Sequence, residues 1–506
     1  MEGLNIGNVT SFFKKKEEKT AINLLIIGIG PHSRRIYLPI IRKLEKDYGV
    51  YIKLGIDLVS QKDSTNEFLM NKGYSFEMLY VDWFNPKNGL PMRLENHLNQ
   101  FVSENNIHGV IIATEPLAHK VYAMWALKRG LHILMDKPIT TRKNVVRDIS
   151  EARGIYKDYL ELLVEYLKLQ RKKKTIFSIN VQRRFEAGHQ KVFDLIGEVR
   201  DRFDAPVTSI QSSHADGVWI LPEEIETQIY HPYNVGYGKC SHSGYHIFDI
   251  VYDYYRSGLI ESKKPDSFEL YSSFVQPSGL LTQFSEKDFE KYFGPEYKKL
   301  EKNSHKDLIK KYKNYGELDA FSVLRLLKNN INICNISINL LHNSFSRRTW
   351  MIPSEDLYKG NGRVKSQSHF IQQGPFQSIQ VHNYQSESEQ GKSSKKDYNL
   401  GGNNHFDIHV FRNSKMFGGK ENPLTVYKIR DLNKNSMDDK RLYHESVKSL
   451  VVEEFLKFIS GEIDRKDLTS NIDDHEMPVK IMSAVYQSHI NYTMGKSPLV
   501  KFQINL

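Results

Sequence analysis

The chain has 506 residues, 40% hydrophobic and 26% charged, a balance that suits two globular domains and excludes a disordered chain. No run reaches the ~20 apolar residues of a membrane span, the polar start Met1 to Thr20 lacks a secretory pattern, and two cysteines, Cys240 and Cys334, exclude a disulfide framework, so a cytoplasmic location is expected. The net charge of +11 is dispersed apart from Arg171 to Lys174, and no nucleic-acid signature surrounds that cluster, so neither nucleic acid nor membrane is expected as a partner.

Ile22 to Gly28 reads as a short buried strand ended by glycine, and Ser33 to Lys46 as a helix that Pro39 kinks or delays. Tyr51 to Val59 and Val110 to Ala113 are strands, followed by a helix from Leu117 to Arg129 closed by Gly130 and a strand from His132 to Met135. Strands alternating with helices predict a parallel, doubly wound sheet. Ile149 to Lys174 then reads as a long charged helical region, Thr175 to Val181 as a strand and Val192 to Arg202 as a helix. From Ile333 onward strands dominate: Ile333 to Leu341, Gln367 to Ile371, Ser378 to Tyr384, Phe406 to Phe411 and Leu424 to Ile429. No long crossovers separate most of them, so an antiparallel sheet is expected. Ser285 to Glu317 reads as a charged surface-helical insertion, and Gln385 to Asn404 as a mobile loop. Ser446 to Ser460 and Pro478 to Met494 read as closing helices.

Ile27-Gly28-Ile29-Gly30-Pro31-His32-Ser33 lies between the first strand and helix. Gly28 permits a tight turn and Gly30 lets the backbone approach a pyrophosphate at the helix start. Ser33 replaces the third glycine of the usual fingerprint and is a candidate helix cap. Asp57 ends the second strand, where an acid bonds the adenosine ribose. The interval from Gly28 is 29 residues, not the ~20 of the compact motif, so the first helix or its loop is longer. Together these point to NAD binding, with NADP left open because Ser60 and Lys62 follow Asp57.

Two further segments extend this reading. Ala113-Thr114-Glu115-Pro116-Leu117-Ala118-His119 follows one strand, and Met135-Asp136-Lys137-Pro138 follows the next. Gly238 to Asp249 contains His242, Gly244, His246 and Asp249. These segments resemble the glucose–fructose oxidoreductase / inositol dehydrogenase (Gfo/Idh/MocA) family. That family usually writes Glu-Lys-Pro where this chain has Asp136-Lys137-Pro138. It also has aspartate where this chain has His242. Asn180 to Phe185 resembles the family's second-domain opening, and His475 with Met482 to Ser488 resembles its C-terminal helix. The resemblance implies a Rossmann domain followed by an α/β domain with a large open antiparallel sheet. It also implies sugar or polyol oxidoreduction on NAD(H) or NADP(H), and a homo-oligomer, dimer or tetramer. The expected domains are a polar extension at 1–20, a Rossmann domain at 21–145 and a substrate and oligomerisation domain at 146–506. The weakly matching insertions lie near 155–174, 220–237 and 285–320, with the loop near 385–404.

On this reading Lys137 stabilises a developing alkoxide, and His246 is the acid/base, since histidine titrates near neutrality. His242, one turn earlier, shares its face. Arg183, Arg184, Tyr245 and Asp249 are candidate substrate contacts, with Lys239 nearby. Gly28, Gly30, Pro31, His32, Ser33, Asp57, Thr114, Glu115, Pro116, His119, Asp136 and Lys137 are candidate cofactor contacts. The His242/His246 spacing also suits a metal, with His231 or Asp249 as a third ligand, but no further ligand motif supports one and none is assigned. Two other functions remain open: an NAD-requiring glycosidase or lyase on the same scaffold, and a non-catalytic dinucleotide-binding regulator.

Overall fold

The computed structural model describes residues 21–228, 231–349, 351, 362–386, 397–419, 422–432 and 446–504. The polar extension at 1–20 and the middle of the loop near 385–404 lie outside them.

The first sheet has six parallel strands: β1 (Ile22–Ile27), β2 (Val50–Leu58), β3 (Glu77–Val81), β4 (Gly109–Ile112), β5 (His132–Met135) and β6 (Phe177–Ile179). Their order is β3-β2-β1-β4-β5-β6. Sequence order reverses between β1 and β4, which opens a crevice at their carboxyl ends. Strands β1 and β4 are buried on both faces, as a parallel sheet covered by helices requires. Those helices include α1 (Pro31–Arg35), α2 (Tyr37–Tyr48), α3 (Lys62–Lys72), α4 (Met92–Glu104), α5 (Pro116–Lys128) and α6 (Ile149–Gln170). The single helix expected at 33–46 is two helices broken at Ile36, and Pro39 sits in the first turn of α2, where a missing amide costs nothing. This extra helix accounts for the long interval from Gly28 to Asp57.

The second sheet has nine strands: β7 (Ser209–Gly217), β8 (Ser267–Val275), β9 (Asp319–Lys328), β10 (Ile331–Leu341), β11 (Val364–Gln373), β12 (Gln377–Ser386), β13 (Asn404–Arg412), β14 (Leu424–Lys428) and β15 (Val500–Gln503). Their order is β14-β13-β12-β11-β7-β10-β9-β8-β15. The pairing is antiparallel as expected, except that β7 and β10 run parallel at its centre. Burial alternates along β11 and β12, so one face meets the core and the other stays open. Helices α7 (Ala187–Phe203), α8 (Pro222–Thr227), α9 (Tyr245–Ser257), α10 (Pro277–Gln283), α11 (Glu286–Phe293), α12 (Tyr297–Leu300), α13 (His305–Tyr312), α14 (Val447–Ile459) and α15 (Glu476–Thr493) complete the chain.

One apolar core runs from Leu25 and Val110 through α6, α9 and α15 to the second sheet. A second lies under α2, where α14 returns to cover Leu24 and Ile111. The insertions share a third: Ile225 and Tyr233 pack with Leu280, Phe289, Leu308 and Tyr312. A fully buried Arg348–Glu224 pair at 2.6 Å fastens this unit to the chain near β11.

Candidate active site

The turn after β1 is shaped for close approach. Gly28 has φ +91°, and a Cβ there would stand 2.7 Å from the carbonyl oxygen of Ala113, so only glycine fits. At Gly30 a Cβ would meet nothing within 4 Å, which leaves open space in front of the first helical amides. Ser33 does not cap the helix; its hydroxyl donates to the Gly28 carbonyl at 2.5 Å and ties the turn shut. Asp57 accepts from the amides of Leu58 (2.8 Å) and Ile29 (3.3 Å) and from Thr65 Oγ1 (3.2 Å). Burial raises its pKa from the usual carboxylate value. Its carboxylate therefore braces the turn from the β2 side. Turn, opening and acid suit a dinucleotide.

The next wall comes from the loops after β4 and β5. His119 is buried, with its ring nitrogens facing the carbonyls of Pro138 (2.8 Å) and Thr114 (3.1 Å), so it locks these loops together. Glu115, at the start of α5 beside Pro116, accepts from Tyr237 Oη, and burial raises its carboxyl. Asp136 accepts from Tyr37 Oη (2.5 Å) and Asn180 Nδ2 (3.0 Å) and lies 3.6 Å from His32 Nε2. Burial pushes Asp136 up, but His32, Tyr37, His119 and Lys137 outweigh it and hold it below the usual range. Lys137 Nζ donates to the carbonyl oxygen of His242 at 2.9 Å. Burial lowers this ammonium to about 8, with Arg183 and Lys239 adding to the effect.

The opposite wall is a π-helical turn, Cys240–Gly244, leading into α9. The turn is clamped from the segment just ahead of β9: Glu317 accepts from the Cys240 amide (2.7 Å) and Tyr486 Oη (2.9 Å). A Cβ on Gly238 would strike the Glu317 carbonyl at 2.1 Å, so the approach depends on glycine. His242 projects from this turn among His231 (4.3 Å between ring centres), Tyr237 (5.5 Å) and Tyr233 (5.7 Å). Its ring is buried, and both ring nitrogens lack a hydrogen-bond partner among the described residues. Burial holds it well below the usual imidazole range, with Lys137 and Lys239 contributing. Orphaned buried nitrogens are rare and mark a place for a polar ligand. Behind this ring, Asp216 at the end of β7 accepts from Lys239 Nζ (2.8 Å) and Ser243 Oγ (2.5 Å).

Residues 22–156 match the model of an oxidoreductase family with an NAD-binding Rossmann fold, Gfo/Idh/MocA. Residues 22–156 are thus similar to the NAD-binding domain of that family. No curated protein matches the sequence. Solved structures match the fold of nearly the whole chain at low identity. An oxidoreductase from Agrobacterium radiobacter, solved with NAD+, L-tartaric acid and magnesium, is 12% identical at TM-score 0.53, covering 96% of this chain and 98% of that one. The aldose-aldose oxidoreductase from Caulobacter crescentus, solved with glycerol, is 11% identical at TM-score 0.53, covering 96% and 100%. The WlbA dehydrogenase from Bordetella pertussis, solved with NADH and UDP-GlcNAcA, is 11% identical at TM-score 0.51, again covering 96% and 100%.

Of the residues expected from the Gfo/Idh/MocA resemblance, Lys137 and His242 come together, and His246 follows one turn later at 6% exposure. Arg183 reaches the same region, with Nη2 3.3 Å from His214 Nε2. Arg184, Tyr245 and Asp249 are instead committed to one another's surroundings. Arg184 forms a two-pronged pair with Asp249 (2.7 and 3.1 Å), and Tyr245 Oη lies 3.1 Å from His475 Nδ1. The first ties the turn at 182–185 to α9 and the second ties α9 to the turn before α15, so these side chains are engaged with one another in the interior. Among the described residues no group of three His, Cys, Asp or Glu is arranged to hold a metal ion. None of their helices is long and apolar enough to cross a membrane. Asp216, Tyr233 and His342 escaped the sequence reading; the one visible signal was the dense His-Pro-Tyr run at 231–233 just before Gly236.

Proposed function

We propose that this chain is an NAD(P)-dependent oxidoreductase that transfers a hydride between the nicotinamide and a sugar, polyol or sugar derivative. The reading rests on one observation above the others: Lys137, on the loop after β5, stands beside the unsatisfied imidazole of His242 at the carboxyl edge of the Rossmann sheet. Gly28, Gly30, the first amides of α1 and Asp57 would hold the dinucleotide, which supplies the hydride acceptor. Lys137 donates to the carbinol oxygen and stabilises the alkoxide as it forms. His246 and His242 line the carbinol from the α9 side. The open face of the nine-stranded sheet, with Tyr271, Val275 and Phe321 exposed, is the surface on which copies pair.

The test is a panel of polyols, sugars, sugar acids and sugar phosphates offered with NAD+ or NADP+. Net NAD(P)H formation from one of them is the expected result. Turnover that needs only catalytic cofactor would replace the dehydrogenase with a hydride-returning lyase or glycosidase.

A further inference from the structure

We propose that Tyr233, delivered by the insertion, exchanges a proton with the substrate hydroxyl, with His342 and Asp216 behind it as positioning residues; this rests on the hydride-transfer reading above. Three separate parts of the chain build the arrangement. Tyr233 belongs to the apolar core of the insertion, among Leu280, Leu281, Phe289 and Tyr312, which fixes its ring. Its hydroxyl is hydrogen-bonded to Nδ1 of His342, just past the end of β10. The other imidazole nitrogen, Nε2, faces Asp216 Oδ2 at 3.9 Å. Asp216 is in turn held by Lys239 and Ser243. The amides of His342 and Asn343 donate to Asp319 Oδ1 at 2.8 and 3.0 Å, so the backbone carrying the imidazole is also fixed.

Tyr233 also sits at the right place for a substrate. Its ring stands edge-on to His242, at 69° and 5.7 Å, and the His242 carbonyl is the one that holds Lys137. A polar ligand that satisfies the bare His242 nitrogens would meet a site that Lys137 approaches through the His242 carbonyl and Tyr233 approaches beside the His242 ring. Among the described residues neither His242 nitrogen has a hydrogen-bond partner to which a proton could pass. Tyr233 has one. In the oxidative direction the carbinol C–H bond breaks and its electron pair leaves as hydride to the nicotinamide, which is reduced. The substrate O–H bond breaks and its proton passes to Tyr233 Oη. The phenolic proton of Tyr233 moves to His342 Nδ1, giving an imidazolium whose Nε2–H faces the Asp216 carboxylate. Tyrosine, histidine and carboxylate then divide the labour as hydroxyl, histidine and acid do in other relays.

The test has two arms on the full chain. With a substrate from the panel above, Tyr233→Phe and His342→Gln are expected to lower kcat by ~10²-fold or more, while NADH affinity measured by fluorescence stays near native. In the second arm, nitrogen NMR of histidine-labelled native protein reads the His342 tautomer, which is expected to carry its proton on Nε2. Near-native kcat in Tyr233→Phe, with the whole loss appearing in His246→Ala, would assign the proton to His246 and overturn the relay. So would a native His342 protonated on Nδ1. If no panel compound yields NAD(P)H, the hydride-transfer reading fails, and the tautomer alone decides whether Tyr233 donates to His342.

Discussion

The Nζ of Lys137 donates to the main-chain carbonyl of His242 at 2.9 Å, and this one hydrogen bond joins the loop after β5 to the π turn that opens α9. The bond engages one of the ammonium's three N–H donors without neutralising it, so Lys137 remains a charge that burial disfavours.

Lys137→Met should therefore lose activity and gain stability. The loss is of a charge-stabilising donor, worth ~10²-fold or more in kcat. The sign of the stability change follows from proton binding. The folded lysine titrates at about 8 and the unfolded one at its ordinary 10.5, so between these values the unfolded chain binds more protons and native stability rises with pH. Below pH 8 the folded chain carries the full cost of the charged group. At pH 7 the variant should be more stable by on the order of 1–2 kcal/mol. Urea unfolding at pH 7 and pH 10 measures this, and a native protein whose stability is flat across that window would contradict the buried charge.

Asp57 braces the turn after β1 through the Ile29 amide, and on the proposed reading its carboxylate faces the adenosine ribose and repels a 2′-phosphate. Native protein should bind NADH more tightly than NADPH, and Asp57→Ala should narrow or reverse the difference by removing the repulsion. The variant should also weaken NADH binding, because the Ile29 amide loses its acceptor. Isothermal titration with both cofactors decides it; equal affinities in the native protein would leave Asp57 as a brace alone.

Glu317 holds the π turn through Cys240 and Tyr486, and burial raises its carboxyl to about 7. Its folded pKa lies above the ordinary carboxylate value of 4.5, so the native state binds the extra proton. Stability attributable to this group is present at low pH and is lost as pH rises toward 7. Glu317→Gln keeps an acceptor for the Cys240 amide and cannot ionise. Its unfolding midpoint should lose that pH dependence and exceed the native one at pH 8. A parallel pH profile in the two proteins would remove Glu317 from the account.

The Rossmann half was legible where burial and composition agree: the apolar run of β1 ends at Gly28, and α5 closes ahead of Gly130. It was illegible where an element buries little. Helix α3 hides only Thr65 and Leu69, and β3 has no buried residue at all, so neither shows a period. Strand β7 failed for the opposite reason. Its Ser212, His214 and Asp216 are buried polar groups lining or backing the site, so the chemistry erased the apolar alternation that would have revealed the strand. The Lys137–His242 juxtaposition could be expected from the family pattern. The meeting of Tyr233 with His342 could not, because an insertion and a strand end 109 residues apart make it.

Restoring the family's carboxylate tests how far His242 sets the electrostatics of the site. In the native chain His242 is held neutral, first by burial and then by the ammoniums of Lys137 and Lys239, so it offers Lys137 no compensating charge. The carboxylates that favour the Lys137 ammonium, Asp136 first and then Asp216, do not offset its burial. An aspartate at 242 is shorter than the imidazole and lies on the residue whose carbonyl Lys137 already contacts. Opposite charge at that range favours the ammonium, so His242→Asp should raise the Lys137 pKa from about 8 toward its ordinary value. If charged Lys137 is required for turnover, the fall of kcat/KM on the alkaline side should move to higher pH in the variant. The rings of His231, Tyr233 and Tyr237 lose their common neighbour, so KM should rise as well. An alkaline limb that stays in place in His242→Asp, with Lys137→Met still inactive, would show that the ammonium is governed by its burial and not by the side chain at 242.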